Sequence, residues 1–377
     1  MRDAKRESTP SWLLATIVGA AACASGAAES PPEPRRYPEI PTGGGPTLGA
    51  VNVVSVAFAG DTHTPDFKVF LESLARSGWL TRVAAEYGVR SVQYAAHVDL
   101  PTTAPAAVKD DEVQALLRSW LRDGTIPSAP TSEPTFLYVL FLPAGTSVAT
   151  LSGDSCRANP GTGYHDMTDG PEVRVPYVVV PTCEPRFSAI LSEVAAMELD
   201  VARLVTNALT DPSPRNEPAY ALTDVSNPWT SLGWEVGDFC WGRLVEQSGY
   251  RLQRVWSNQA AASGGEPCIP APADSIPFGM IASPGGLQKL VVGEPYAFTV
   301  TGWSRAPIAD WTIQASPWVG DYPIRPELDR YTLNNGQSAS LQVTIPYATP
   351  PGTYGAVLVQ ALHAVDSPAW PVAFVVR

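Results

Sequence analysis

Two neighbouring stretches decide the fold of the first two thirds of the chain: DDEVQALLRSWLR at residues 110–122 and FLYVLFL at residues 136–142. The first predicts an amphipathic helix, since its apolar side chains recur at helical spacing on one face: Val113, Leu116, Leu117, Trp120 and Leu121. The second is an unbroken apolar run of strand length and predicts a buried strand. A helix followed by a buried strand is the unit from which α/β sheets are built.

The same alternation continues on both sides of these stretches. Upstream, the patterns predict a strand at 53–58, helices at 66–77 and 80–87, and a strand at 89–98. Downstream, they predict a strand at 173–180 and a long helix at 187–209, which ends at Asp211-Pro212 because proline cannot continue a helix. We therefore predict an α/β (α+β) domain with a mixed sheet over residues 49–270.

The pattern changes after residue 275. Short runs of alternating apolar residues, separated by turn sequences such as Asn334-Asn335-Gly336 and Pro350-Pro351-Gly352, occupy residues 275–377 without a helical period between them. Regularly spaced short strands of this kind are typical of an antiparallel sandwich. The sequence therefore predicts a second, all-β domain at the end of the chain.

The N-terminus predicts export. Basic residues at positions 2, 5 and 6 precede an apolar run at 12–22, which is too short to span a bilayer but suits a signal peptide of residues 1–24. Cys23 follows small residues, as at a bacterial lipoprotein cleavage site, and would anchor the chain by lipid; ordinary cleavage near Ala24 is the alternative. Residues 25–48, rich in proline and glycine, predict a tether. The predicted location is thus an outer-membrane lipoprotein, or a periplasmic or extracellular protein, that meets the membrane only through Cys23.

Composition narrows the partners. The chain has 37 acidic residues against 25 lysines and arginines, a formal net charge of −12, which argues against nucleic-acid binding. Its apolar content of 45% excludes global disorder. An envelope protein or a polysaccharide remains as a partner class.

Four cysteines remain once Cys23 is set aside: Cys156, Cys183, Cys240 and Cys268. An even number in an exported chain favours two disulfides. Of the three connectivities, we predict Cys156–Cys183 and Cys240–Cys268, because each closes a short loop-rich segment. The cysteines lack the C-x-x-C spacing typical of a zinc site.

Several phrases occur in a recognisable order between residues 40 and 268. They are GGGP (43–46), EYGV (86–89), YVLFLP (138–143), SC (155–156), GYH (163–165), TDP (210–212), GWEVGDFC (233–240) and VWSN (255–258). In this order they resemble a family of bacterial secreted proteins similar to the plant EXORDIUM/phosphate-induced proteins. The last domain resembles bacterial immunoglobulin-like modules of secreted enzymes, which implies a spacer or adhesion role.

The resemblance also exposes a departure. Members of the family carry a helix reading His-Glu-Leu-x-Glu-Ala-x-Thr-Asp-Pro, whose His and Glu on successive turns suit a metal site. When the two sequences are aligned on Thr210-Asp211-Pro212, the positions of the family's His and two Glu residues hold Arg203, Leu204 and Asn207 in this chain. Arginine does not ligate a cation, and leucine offers no general base. The resemblance thus implies a zincin-like domain whose site has degenerated.

His165 is the best remaining functional candidate, since the phrase Gly-Tyr-His includes it; the alternative is that it makes a hydrogen bond that orders a loop. With Glu235 and Asp238 it forms a candidate ligand set for a metal-dependent hydrolase of non-standard type. Asp211, Glu235 and Asp238 form an alternative Ca²⁺ set, against which stands the simpler reading that Asp211 ends the helix and Asp238 organises a turn. No phosphate-binding loop or dinucleotide motif occurs, so no cofactor is implied.

The sequence therefore leaves three hypotheses. The first is a non-catalytic, exported envelope protein with a binding or structural role, and the second is the metal-dependent hydrolase. The third is a carbohydrate-binding or adhesion protein whose sandwich would stack aromatic residues on sugars. The tryptophans that motivate the third are Trp303, Trp311, Trp318 and Trp370.

Overall fold

Helices and strands alternate in the first part of the computed structural model, and its described C-terminal part is built from strands. The structure describes residues 37–128, 134–150, 153–154, 163–169, 174–183, 192–272, 276–320, 322–362 and 367–377. The helices are α1 (Thr64–Arg76), α2 (Trp79–Ala84), α3 (Asp110–Asp123), α4 (Glu193–Thr210) and α5 (Asn258–Ala262), with short 3₁₀ turns at Ala85–Tyr87 and Pro228–Ser231. The strands are β1 (Ala50–Ala57), β2 (Ser91–Asp99), β3 (Ala107–Lys109), β4 (Thr135–Leu142), β5 (Ser147–Thr150), β6 (Gly153–Asp154), β7 (Tyr164–Met167), β8 (Pro176–Pro181), β9 (Leu244–Gln247), β10 (Tyr250–Gln253), β11 (Val255–Trp256), β12 (Cys268–Ile269), β13 (Phe278–Ser283), β14 (Gln288–Leu290), β15 (Tyr296–Ser304), β16 (Trp311–Val319), β17 (Arg325–Leu328), β18 (Thr332–Leu333), β19 (Ser338–Thr344), β20 (Tyr354–Leu362) and β21 (Ala369–Val376).

The central sheet of the α/β part has the order β2-β1-β4-β8-β7, in which β7 alone runs antiparallel to its neighbour. Residues of α1, α2 and α4 share a core with one face of the sheet, and α3 packs on the other through residues such as Leu117. Strands covered on both faces are continuous apolar runs, which explains the composition of β1 and β4. The predicted mixed α/β sheet is confirmed.

Local signals set the helix ends. The carboxylate of Glu112 accepts a 2.7 Å hydrogen bond from the Lys109 amide at the start of α3, and Gly124 (φ 76°) follows its end. The Ser192 hydroxyl caps α4 by accepting from the Ala195 amide at 3.2 Å. Asp211 leaves the helical conformation and is followed by a proline, so α4 ends where the sequence predicts. Residues 187–191 of the predicted helix lie outside the described residues.

The C-terminal part is a sandwich of two sheets, as predicted. One has the order β13-β15-β19-β17, and the other has the order β14-β21-β20-β16-β18. Their pairings are antiparallel except for that of β14 with β21. The two inner faces enclose a separate apolar core that includes Phe298, Trp311 and Phe374.

The sandwich shares an apolar interface with the α/β part. Trp303 belongs to the α/β core, and Trp370 lies 5.3 Å from Trp229 between ring centroids. The indole nitrogen of Trp318 donates to the Ser231 carbonyl at 2.7 Å. The cavity left in this contact has a volume of about 20 Å³, enough for a single water. Three of the four tryptophans proposed for sugar stacking therefore lie at this interface, and the fourth, Trp311, is buried in the sandwich core.

The second half of the predicted tether is packed against the α/β part. Tyr37 and Ile40 are buried, and the amide of Ile40 donates to the Asn258 side chain at 2.9 Å. The Gly43 amide donates to the Ala219 carbonyl at 2.7 Å. Apolar residues among the prolines and glycines give this segment side chains that can be buried. Residues from Tyr37 onwards therefore pack with the α/β part, ahead of the predicted domain start at residue 49. Residues 1–36, with the predicted signal peptide and Cys23, lie outside the described residues.

The predicted disulfide Cys240–Cys268 is confirmed, with Cα atoms 5.6 Å apart. Cys183 is also disulfide-bonded. Its predicted partner, Cys156, lies outside the described residues.

Candidate functional site

The face of α4 that the family resemblance singles out is turned towards the loop at residues 233–240. Arg203 and Asn207 are one helical turn apart, so both side chains project from the same face. Arg203 Nη1 donates to Asp238 Oδ1 at 2.9 Å, and Asn207 Nδ2 donates to the same oxygen at 3.1 Å. Asp200 adds a second, longer contact to the guanidinium at 3.4 Å. A cation and an amide therefore hold Asp238 at this face of the helix.

The other carboxylate oxygen of Asp238 holds the loop itself. Oδ2 accepts from the amides of Trp234 at 3.1 Å and Glu235 at 3.2 Å. The turn before them requires glycine, because Gly233 has φ 143° and a Cβ there would lie 2.4 Å from the Asp238 side chain. Asp238 thus organises a turn, as the simpler sequence reading predicts, and joins that turn to α4.

Asn207 also fixes the loop through its carbonyl oxygen. Oδ1 accepts from the Gly237 amide at 2.8 Å. A Cβ on Gly237 would lie 2.4 Å from that oxygen, so the loop approaches the helix more closely than any other residue permits. We call the set Arg203, Asn207 and Asp238 the loop clamp.

Leu204 takes no part in this arrangement. Its side chain is 2% exposed and belongs to the core shared by α4 and the sheet. A Cβ on Gly163 would lie 2.6 Å from Leu204 Cδ1, so the two residues are in close contact. The leucine therefore has a packing role.

His165 and Glu235 are brought together, as the candidate set requires. His165 Nε2 on β7 lies 3.0 Å from Glu235 Oε1 and 2.9 Å from the main-chain carbonyl oxygen of Asp211. Both side chains are largely buried. The Glu235 contact meets the distance but not the direction of a hydrogen bond, so we treat it as an ion pair. We call His165, Glu235 and Asp211 the histidine cluster.

The electrostatics of the pair follow from burial and proximity. Burial by itself lowers the pKa of His165, but the Glu235 carboxylate and the Asp211 carbonyl outweigh it and raise the pKa to about 9. Burial raises the pKa of Glu235 to about 7, against the opposing effect of His165. His165 is therefore held as a cation at neutral pH.

Asp211 ends α4 and contributes its carbonyl to His165, while its side chain turns elsewhere. Oδ1 accepts from the Ala219 amide at 2.8 Å. Oδ2 is buried without a hydrogen-bond donor. Burial raises the pKa of this carboxyl, opposed by the Ala219 amide and by the charge of His165. The side chain is thus an under-satisfied acceptor beside a charged histidine.

The residues present do not form the predicted metal site. Within the part of the chain that the structure describes, no group of three or more His, Cys, Asp or Glu side chains is arranged to hold a metal ion. His165 and Glu235 meet, but Asp238 binds Arg203 and Asn207 instead. A guanidinium 2.9 Å from Asp238 supplies the positive charge that a cation would otherwise bring.

Two further polar groupings were not part of the predicted site. Arg215 binds Asp166 and Asp110, and the Tyr177 hydroxyl donates to Asp110 at 2.6 Å, which ties the start of α3 to β7 and β8. These residues are separated by up to 105 positions and share no motif, so only the fold brings them together.

The second grouping joins Ser55, His97 and Asp99. Ser55 Oγ lies 2.7 Å from His97 Nδ1, and His97 Nε2 lies 3.0 Å from Asp99 Oδ1. Ser55 is fully buried in the middle of β1 and also bonds the Tyr94 hydroxyl at 2.7 Å. A nucleophile needs access to its substrate, so we interpret this chain of hydrogen bonds as structural.

Comparisons with known proteins leave the family open. No known family model matches the sequence, and no curated protein is significantly similar to it. Among solved structures, the chain is similar to domains 4 and 5 of the S-layer protein SbsC, with a TM-score of 0.21 and 7% identity over 27% of this chain. The aligned part spans about half of that fragment, 53%.

Two other solved structures show likeness of the same extent. A conjugative transposon lipoprotein from Bacteroides eggerthii has a TM-score of 0.21 and 18% identity, over 26% of this chain and 98% of its own. The titin M3 domain has a TM-score of 0.17 and 14% identity, over 24% and 88%. Likeness at these TM-scores supports no statement about function. Separately, none of the described helices is both long and apolar enough to cross a membrane.

Proposed function

We propose that the protein is an exported component of the bacterial cell envelope with a binding or structural role and no catalytic one. The observation that carries the proposal is the loop clamp, in which Arg203 Nη1 lies 2.9 Å from Asp238 Oδ1. The face of α4 that suits a metal in the resembled family is here turned to holding a loop. Its side chains are a cation, a buried leucine and an amide, none of which is a good metal ligand or general base.

Several sequence predictions support the location and ancestry in this proposal. The signal peptide and a lipid on Cys23 would place the chain at the envelope. The resemblance to EXORDIUM-like proteins would make the α/β part a degenerate, zincin-like domain. The immunoglobulin-like character of the sandwich and a Cys156–Cys183 disulfide belong to the same account.

Metal content is the measurement that tests the proposal. The mature protein, residues 25–377, is dialysed exhaustively and analysed by plasma mass spectrometry. We expect well under one equivalent of any transition metal or calcium, and a cooperative urea transition that a chelator does not shift. Near-stoichiometric metal that disappears in His165→Ala would contradict the proposal and favour the metal-dependent hydrolase. Arg203→Lys, which keeps the positive charge of the clamp, is the matched control.

A further inference from the structure

The loop that the clamp holds presents one aromatic side chain to solvent. Trp234 is 56% exposed, although the side chain of Glu235 next to it is only 14% exposed. Tryptophan is normally well buried, so a large exposed indole is an informative exception. Among the described residues it is the exposed large aromatic of the α/β part.

The backbone of Trp234 is fixed on both sides. Its amide donates to Asp238 Oδ2 at 3.1 Å, and its carbonyl accepts from the Leu222 amide at 2.7 Å. Glu235 forms an antiparallel bridge with Ala221 directly after it. The entropy of ordering this backbone is therefore lost on folding and not on binding, which is the condition for a preorganised contact residue.

The segment that follows the Leu222 contact is polar and open to solvent. Leu222 is bonded to the Trp234 carbonyl, and the next four residues, 223–226, are all exposed. Asp224 accepts from the hydroxyl and amide of Ser226 at 2.7 and 2.9 Å, so this segment forms a tight turn. Val225 adds one apolar side chain.

This composition fits a sugar better than a protein partner. A stable protein interface buries about 800 Å² on each side around an apolar centre. The other exposed large apolar residues lie on α1 and on the sandwich, away from this loop in the chain: Val69, Val291, Tyr331 and Tyr347. A pyranose ring has an apolar face of about the size of an indole and hydroxyl groups around its edge. Such a ligand uses one aromatic platform and a few polar groups.

We propose that Trp234 is the stacking platform of a binding site for a neutral polysaccharide. The exposed indole takes the apolar face of a sugar ring, and residues 223–226 face its hydroxyl groups. Asp224 in this segment and the net charge of −12 disfavour an anionic polysaccharide. This inference rests on the proposed function and names its partner class.

Affinity gel electrophoresis of the mature chain tests the site. The gels contain hydroxyethylcellulose, arabinoxylan or glycol chitin as neutral probes, and alginate as the anionic one. We expect retardation by at least one neutral probe and none by alginate. Trp234→Ala should weaken the retardation about tenfold, equivalent to about 1.4 kcal/mol, and Trp234→Phe should restore part of it. Tyr347→Ala, which removes an 86% exposed aromatic from the sandwich, is the matched control and should bind as the unaltered chain does.

Three results would overturn the inference. They are no retardation of the unaltered chain by any neutral probe, equal retardation of Trp234→Ala, and a loss of binding confined to Tyr347→Ala. Urea transitions of all variants show that they are folded, which the exposure of both side chains leads us to expect. The failure of the proposed function is distinguishable, because it would appear as bound metal whatever the gels show.

Discussion

Asp238 and Asp211 lie in one polar region of the molecule, yet their carboxylates are satisfied very differently. Asp238 accepts four hydrogen bonds, two on each oxygen. Asp211 accepts one, on Oδ1, and its Oδ2 is buried without a donor. The two are linked through Glu235, whose amide binds Asp238 and whose carboxylate pairs with His165 beside the Asp211 carbonyl.

This difference predicts that the two clusters affect the free energy of unfolding in different ways. A buried carboxylate with all its acceptor positions filled is a rigid junction, and breaking it leaves several donors unpaired. The histidine cluster instead depends on one proton, since its cohesion comes from a protonated His165. We therefore expect the loop clamp to dominate stability and the histidine cluster to dominate its pH dependence.

The largest effect should come from Asp238→Ala. The substitution removes the nearer of the two carboxylates that pair with the largely buried Arg203 guanidinium, and it removes both bonds to the loop amides. Removing one partner of a buried ion pair typically costs 3–5 kcal/mol, so we expect the free energy of unfolding to fall by about 4 kcal/mol. Urea denaturation measures it. Asp224→Ala is the control, because this exposed carboxylate bonds Ser226 alone among the described residues. It should change stability by less than about 0.5 kcal/mol.

A loss below about 1 kcal/mol for Asp238→Ala would mean that the clamp is not the junction we describe. In that case the double variant Arg203→Met/Asp238→Leu should be no more stable than Arg203→Met or Asp238→Leu alone. If the clamp is real, the double variant should recover part of the loss, because neither buried charge is left alone.

The second effect is the pH dependence of the histidine cluster. The pKa of His165 is raised to about 9 in the folded protein from an unfolded value of 6.5, so its stabilisation is full below pH 6.5 and is lost as the pH rises through 9. The free energy of unfolding should therefore fall between pH 6.5 and 9, by up to about 3 kcal/mol. Urea denaturation across this range should show the fall.

Glu235→Gln tests the cause of that fall. It removes the charge that raises the pKa of His165, so it should flatten the curve above pH 6.5. An unchanged slope in this variant would assign the pH dependence to other groups.

The two clusters also show how far a sequence can be read. Arg203 and Asn207 could be placed on one helix face, because helical spacing is local information. The pairing of His165 with Glu235 spans 70 positions and depends on β7 lying at the edge of the sheet, which no local pattern states. The clamp was missed for the same reason: the sequence offers Asp238 as an acidic ligand and gives no sign of which cation meets it.

The aromatic residues illustrate a second limit. The strand positions of the sandwich were predictable from period-two alternation, and so was its independent core. The same alternation marks Trp303 and Trp370 as facing something apolar, and it cannot say whether that is the sandwich core, a sugar or the neighbouring domain. The packing of Trp370 against Trp229 resolves this in favour of the interface. Exposed Trp234 lies in a loop, where periodicity carries no burial information at all.

The smallest effect concerns Glu198, a carboxylate on α4 outside both clusters. Burial first, and then the charge of Asp66 on α1, raise its pKa to about 7 from 4.5. A raised carboxyl pKa means that stability is full below pH 4.5 and is lost as the group ionises through pH 7. Glu198→Gln should therefore make the protein slightly more stable than the unaltered chain at pH 7.5, by less than about 1 kcal/mol, and equal to it at pH 4.5. Because Glu198 belongs to neither cluster, the fall above pH 6.5 assigned to His165 should persist in this variant. Its disappearance would show that the two titrations are one.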